Sequence, residues 1–92
     1  MITADELRKT SLHQITVIAK EFIINTVEPS IRAAASKGRF FDTVSFEGVP
    51  ERTATAKEVV RILETQGFFA EHVYYDGPNG YDNYILVKWE ED

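Results

Sequence analysis

The sequence predicts an α+β domain whose elements run helix, strand, helix, strand, strand: a long kinked N-terminal helix and a second helix packed on a small three-stranded, mostly antiparallel sheet. Three observations lead there. Apolar residues recur every three or four positions from Leu12 to Ala34, a β-branched and aromatic run follows at 40 to 46, and a glycine-terminated helical segment at 55 to 67 precedes two strand-like runs. At 92 residues the chain suits one domain spanning 1 to 92, and 43% hydrophobic with 27% charged residues is the make-up of a packed core rather than a disordered chain.

The first helix starts in Thr3-Ala4-Asp5-Glu6, a capping box in which the Thr3 hydroxyl accepts from the Glu6 amide and the Glu6 carboxylate reaches back to the Thr3 N–H. Its main stripe is Leu12, Ile15, Ala19, Phe22, Ile23, Val27, Ile31 and Ala34. This stripe runs through Pro29. Proline lacks an amide donor and crowds the preceding turn, which predicts either a kink near Val27 or two abutting helices with Pro29 opening the second; the unbroken phase of the stripe favours the kink. Gly38 is the natural left-handed stop, with Lys37 at the negative end of the helix dipole.

Phe40 to Phe46 reads as one strand with Val44 and Phe46 on one face and Thr43 and Ser45 on the other. Gly48-Val49-Pro50 breaks it. Thr55-Ala56-Lys57-Glu58 is a second capping box, opening a helix whose inward face is Val59, Val60, Ile62 and Leu63 and which Gly67 ends, with Phe68 placed for the apolar contact that accompanies a glycine cap. Two strands at about 70 to 75 and 84 to 89 follow, the last with Ile85, Val87 and Trp89 on one face, joined by a turn-rich stretch at 76 to 83.

Composition narrows the function. Without cysteine there is no disulfide framework, thiolate metal site or thiol nucleophile, which suits a reducing cytoplasm. The start has no basic region leading into an apolar core, and no apolar run approaches bilayer length, so neither secretion nor a membrane role is expected. The net charge of −5 is lopsided: residues 1 to 46 carry +1 and residues 47 to 92 carry −6. That field repels phosphates and argues against direct nucleic-acid binding; Arg32, Lys37 and Arg39 beside Phe40 and Phe41 are too few to reverse it.

Catalytic and metal chemistry finds little purchase. His13 and His72 lack a third ligand at metal spacing, and the loop acceptors Asp76, Asn79, Asp82 and Asn83 miss the calcium-loop pattern, since Pro78 and Gly80 stand where the third and fifth ligands belong. Among the carboxylates only Asp42, alternating with Phe40 and Val44, has apolar neighbours, and it reads as an end-of-strand group reaching a helix amide or a basic residue. No phosphate loop or nucleophile elbow is present. The expectation is a non-enzyme needing no cofactor and no metal.

Two surfaces remain as candidates. On an ideal helix, Val17, Ile24 and Ile31 fall at heptad spacing away from the main stripe, flanked by Val27 and Ala34, giving the first helix a second apolar side for self-association or another protein. The alternative is an acidic face of Glu51, Glu58 and Glu64 on the second helix, suited to imitating DNA against a basic host protein, although Arg52, Lys57 and Arg61 interrupt it.

The spacing Ile31, Ala34-Ala35, Gly38, a β-run, Leu63 before Gly67-Phe68, and then Ile85, Val87 and Trp89 resembles a pattern common among small phage-encoded α+β proteins, over about residues 27 to 89. Pro29 departs from it, because a continuous helix is usual there. The resemblance transfers no functional residue. It implies a viral accessory protein acting by protein–protein contact in the host cytoplasm or within a virion, its partner a second copy of itself or a host protein.

Overall fold

The computed structural model describes residues 1–47, 49, 52–78 and 80–90. The elements are α1 (Ala4–Phe22), a π-helical turn (Ile23–Val27), α2 (Glu28–Ser36), β1 (Phe41–Ser45), α3 (Arg52–Thr65), β2 (Phe69–Gly77) and β3 (Gly80–Lys88). This is the α+β order expected. Thr3 is the N-cap of α1, its hydroxyl accepting from the Glu6 amide at 3.2 Å. The helical run from Ala4 to Ser36 spans roughly 50 Å at 1.5 Å per residue, close to the longest dimension of the molecule, 55 Å. Every residue from 1 to 14 is exposed, so the first turns of α1 overhang the body. Among the described residues no helix is long and apolar enough to cross a membrane.

The chain passes Pro29 without a break. The Glu28 N–H donates to the Ile23 carbonyl, an i→i+5 bond, and Pro29 falls in the first turn of α2, the part of an α-helix that best tolerates a residue without an N–H. Widening the turn ahead of a proline relieves the clash that a kink would otherwise relieve. The disturbance expected near Val27 takes the form of this π-helical turn at Ile23–Val27. The wide turn absorbs about one extra residue, which sets everything beyond it back by about 100°. Residues four apart drift by about 40° per step on a straight α-helix; with the setback, Ala19, Ile23, Val27, Ile31 and Ala34 all reach the core.

Glycine ends two helices by the same device. Gly38 (φ 81°) and Gly67 (φ 90°) are left-handed, and Arg39 N–H bonds Ala34 O while Phe68 N–H bonds Leu63 O, each at 3.1 Å. Phe68 then packs against the core. The second capping box, however, is not a cap. Helix α3 starts at Arg52, and Thr55 is a fully buried residue inside its first turns beside buried Ala56. Thr55 serves the core of this helix rather than its start.

The sheet has the order β1-β3-β2 with both pairings antiparallel. The hairpin is longer than its turn-rich sequence suggests. Pairing continues through Tyr75↔Asp82 and Asp76↔Tyr81 to Gly77↔Gly80, leaving only positions 78 and 79 between the strands. Turn-forming residues suggest a loop, but a ladder already in register extends over them until glycines allow the reversal.

All helices cover one face of this sheet: α1 packs on α3, α2 on β1 and α3 on β2. Val44, Ala70, Ile85 and Val87 from that face meet Ala19, Ile23, Val27, Ile31, Val59 and Leu63. Phe46, just beyond β1, is fully buried and meets Phe22 edge-on at 5.0 Å and His72 at 5.3 Å. Buried Asn83 holds it in place. Phe46 N–H donates to the Asn83 carbonyl at 3.0 Å, Asn83 Nδ2 donates to Phe46 O at 3.3 Å, and Asn83 Oδ1 lies 2.7 Å from His72 Nε2.

Candidate protein-contact surface

The second apolar side of the first helix does not exist as a stripe. Val27, Ile31 and Ala34 are core residues, Val17 is half-buried, and only Ile24 stands clear at 60% exposure. The heptad assumed a constant advance of about 100° per residue. The π turn breaks that phase between Ile24 and Ile31, turning Ile31 inward and leaving Ile24 outside. Three of the five residues offered as a contact surface are therefore occupied within the chain itself.

The acidic face fares similarly. Glu51 lies outside the described residues and Glu64 is exposed, but Glu58 is tied down between helices. Its carboxylate accepts from the Thr16 hydroxyl on α1 and from the Arg61 side chain on α3, leaving the side chain 16% exposed. The Arg61 hydrogen bond, followed by that from Thr16, lowers the Glu58 pKa below the usual glutamate range. A carboxylate so engaged is an interhelical clamp. Because its folded-state pKa is depressed, the stabilisation it gives is present near neutrality and is lost as pH falls through that depressed value. Urea midpoints measured from about pH 6 down to about pH 3 should fall more steeply for the wild type than for Glu58→Gln, which lacks the titrating group. Equal slopes would show that the clamp contributes nothing.

The remaining sequence candidates take structural places. His13 is exposed on α1, His72 is held by Asn83 against Phe46, and the half-buried Asp42 accepts from the Ser30 hydroxyl on α2 and from its neighbour's amide, Thr43 N–H, at 2.9 Å. From α2 it is a hydroxyl, not the expected helix amide or basic group, that meets Asp42, because α2 lies over β1. Asp76 and Asp82 belong to strands rather than to a loop. Among the described residues no group of three or more His, Asp or Glu is placed to hold a metal ion. Arg32, Lys37 and Arg39 are exposed around the end of α2, with Phe40 and Phe41 exposed beside them.

The structure instead brings together a surface that sequence reasoning missed. Residues directly paired across strands share a face, and the register lays out the outer, helix-free face in four rows. Phe41, Lys88 and Phe69 form the first; Thr43, Leu86 and Glu71 the second; Ser45, Tyr84 and Val73 the third; Asp82 and Tyr75 the fourth. Phe41, Phe69 and Tyr75 are each more than half exposed, and Val73, Tyr84 and Leu86 are half-buried by their neighbours alone. Lys88 Nζ sits 5.4 Å from the centre of the Phe69 ring. Tyr75 leans along its strand over Gly77, where a Cβ would stand 2.2 Å from the Tyr75 hydroxyl oxygen. Glycine permits that close approach.

A signal for this face was present. Tyr84-Ile85-Leu86-Val87 is a continuous apolar run, whereas a strand covered on one side needs only every second residue apolar. The charges of the face are polar in layout: Lys88 closes one end and Asp82 the other, six residues along the same strand. A separate apolar groove of about 410 Å³ lies between α2, the end of α3 and Trp89, with Ile31, Ile62 and Phe68 in its walls.

Comparison with family models, with curated proteins and with solved structures gives no match.

Proposed function

We propose that this chain is a non-catalytic accessory protein that acts by protein–protein contact, self-association included, and that it does so through the outer face of its sheet rather than through helix 1. The observation that carries this reading is the cluster of Phe41, Phe69, Val73, Tyr75, Tyr84 and Leu86 on a face that no helix among the described residues covers. Contiguous apolar surface of this kind is uncommon on small domains that act alone, and aromatic side chains are the groups that dominate contact energies. The likeness to small phage-encoded proteins adds the accessory role and a host protein as a further partner, in the host cytoplasm.

Aromatic rings on an open sheet also suit stacking by single-stranded nucleic acid. Charge separates the two readings. Lys88 is the sole cation in the four rows, and Glu71 and Asp82 stand among the rings, so phosphates would meet a neutral to negative surface. A combined Phe41→Ser, Phe69→Ser and Leu86→Ser variant should keep its far-UV circular dichroism and lose the stable protein contacts of the wild type, its own included. Leu7→Ser with Leu12→Ser, on the overhanging end of α1, should leave them intact. Contacts that survive the sheet changes, or tight binding of a labelled oligothymidylate at physiological salt, would contradict the proposal.

A further inference from the structure

We propose that the outer sheet face takes a second copy of this chain, face to face, about a twofold axis that lies in the interface and runs across the strands; this rests on the reading of that face as the contact surface. The charge layout selects the axis. Two such arrangements keep the strands of the two copies nearly aligned. An axis along the strands sets each row on itself, with Lys88 on Lys88 and Asp82 on Asp82. An axis across the strands reverses the row order, so Lys88 of each copy meets Asp82 of the other. The first arrangement opposes like charges at both ends, and the second pairs opposite charges at both ends.

In the second arrangement the central strand lies on its counterpart with Leu86 over Tyr84, β2 lies on β2 with Phe69 over Tyr75 and Glu71 over Val73, and β1 lies on β1 with Thr43 over Ser45, Phe41 standing at the rim beyond the end of the opposite strand. Two sheets whose strands run nearly aligned pack in this way in sandwich cores, with a mutual rotation of about 30° from the twist of each sheet. The helices stay outside on both copies, and the overhanging start of α1 does not enter the interface.

Sedimentation equilibrium on the full chain tests this with three variants: Lys88→Glu, Asp82→Lys and the two combined. Both positions are exposed, so each variant should unfold at nearly the wild-type urea midpoint. The wild type should dimerise, and each single reversal should raise the dissociation constant about tenfold or more because symmetry counts the like-charge contact twice. The double variant exchanges the signs of the pair and should recover to within a few-fold of the wild type. A wild type that stays monomeric at millimolar concentration overturns the proposal, as does a double variant no better than the singles. Edge-to-edge pairing along β2 leaves the central strand out of the interface, so reversals without effect would also overturn it. If self-association is then still lost in the Phe41, Phe69 and Leu86 serine variant, the contact face stands and only the arrangement falls; if it persists there, both fall.

Discussion

Replacing Phe46 by alanine is expected to remove about 3–5 kcal/mol of stability, a large share of the roughly 5–14 kcal/mol that a domain of this size holds. The ring is fully buried between Phe22 of α1 and His72 of β2, at the point where the chain leaves β1 for α3. Its loss takes away apolar burial and leaves a cavity that rigid strands on one side and a long helix on the other cannot close. The bonds that the Asn83 carbonyl and side-chain amide make to the Phe46 backbone survive the substitution, so the deficit measures the ring alone. Urea unfolding followed by tryptophan fluorescence gives the number. A loss under about 1 kcal/mol would show that helix and sheet are not joined through this ring.

The second large effect separates two neighbours in the helix. Val27→Lys should cost more than about 3 kcal/mol, because Val27 is wholly enclosed and a lysine there has no partner or route to water. Ile24→Lys, three positions away, should change stability by no more than about 0.5 kcal/mol, since Ile24 faces out. A constant helical advance of about 100° per residue places both residues within about 40° of Ile31; with the π turn at Ile23–Val27, one is enclosed and the other faces out. Thermal unfolding of the two variants checks it. Equal midpoints would mean that the wide turn does not set the phase of this helix.

Those two residues also show where the sequence is legible. Features fixed within a few residues read correctly: the Thr3 cap, and the glycine stops at Gly38 and Gly67 with Phe68 folded back on the core. Features set by tertiary packing did not. Thr55 carries a capping signature yet lies buried inside a helix that starts at Arg52, and residues 76 to 83 carry turn signals yet mostly extend a paired ladder. Periodicity has no means of registering a single i→i+5 turn, so the apolar surplus of helix 1 became an imagined outer stripe. The real surplus lay in the strands. Phe41, Phe69 and Leu86 alternate with core residues, and placing them on one face requires the register Phe41↔Lys88↔Phe69, which pairs segments about 20 to 47 residues apart in the chain.

Whether the chain works through the outer face of its sheet is tested most directly by amide NMR spectra recorded over a wide range of protein concentration. The predicted result is progressive shifts and broadening confined to the strands, strongest at Phe69, Val73, Tyr84 and Leu86, with Val17 of α1 and Ile24 of the π turn unmoved. Changes centred on Val17 and Ile24 with a silent sheet, or spectra that do not change up to millimolar protein, would contradict it.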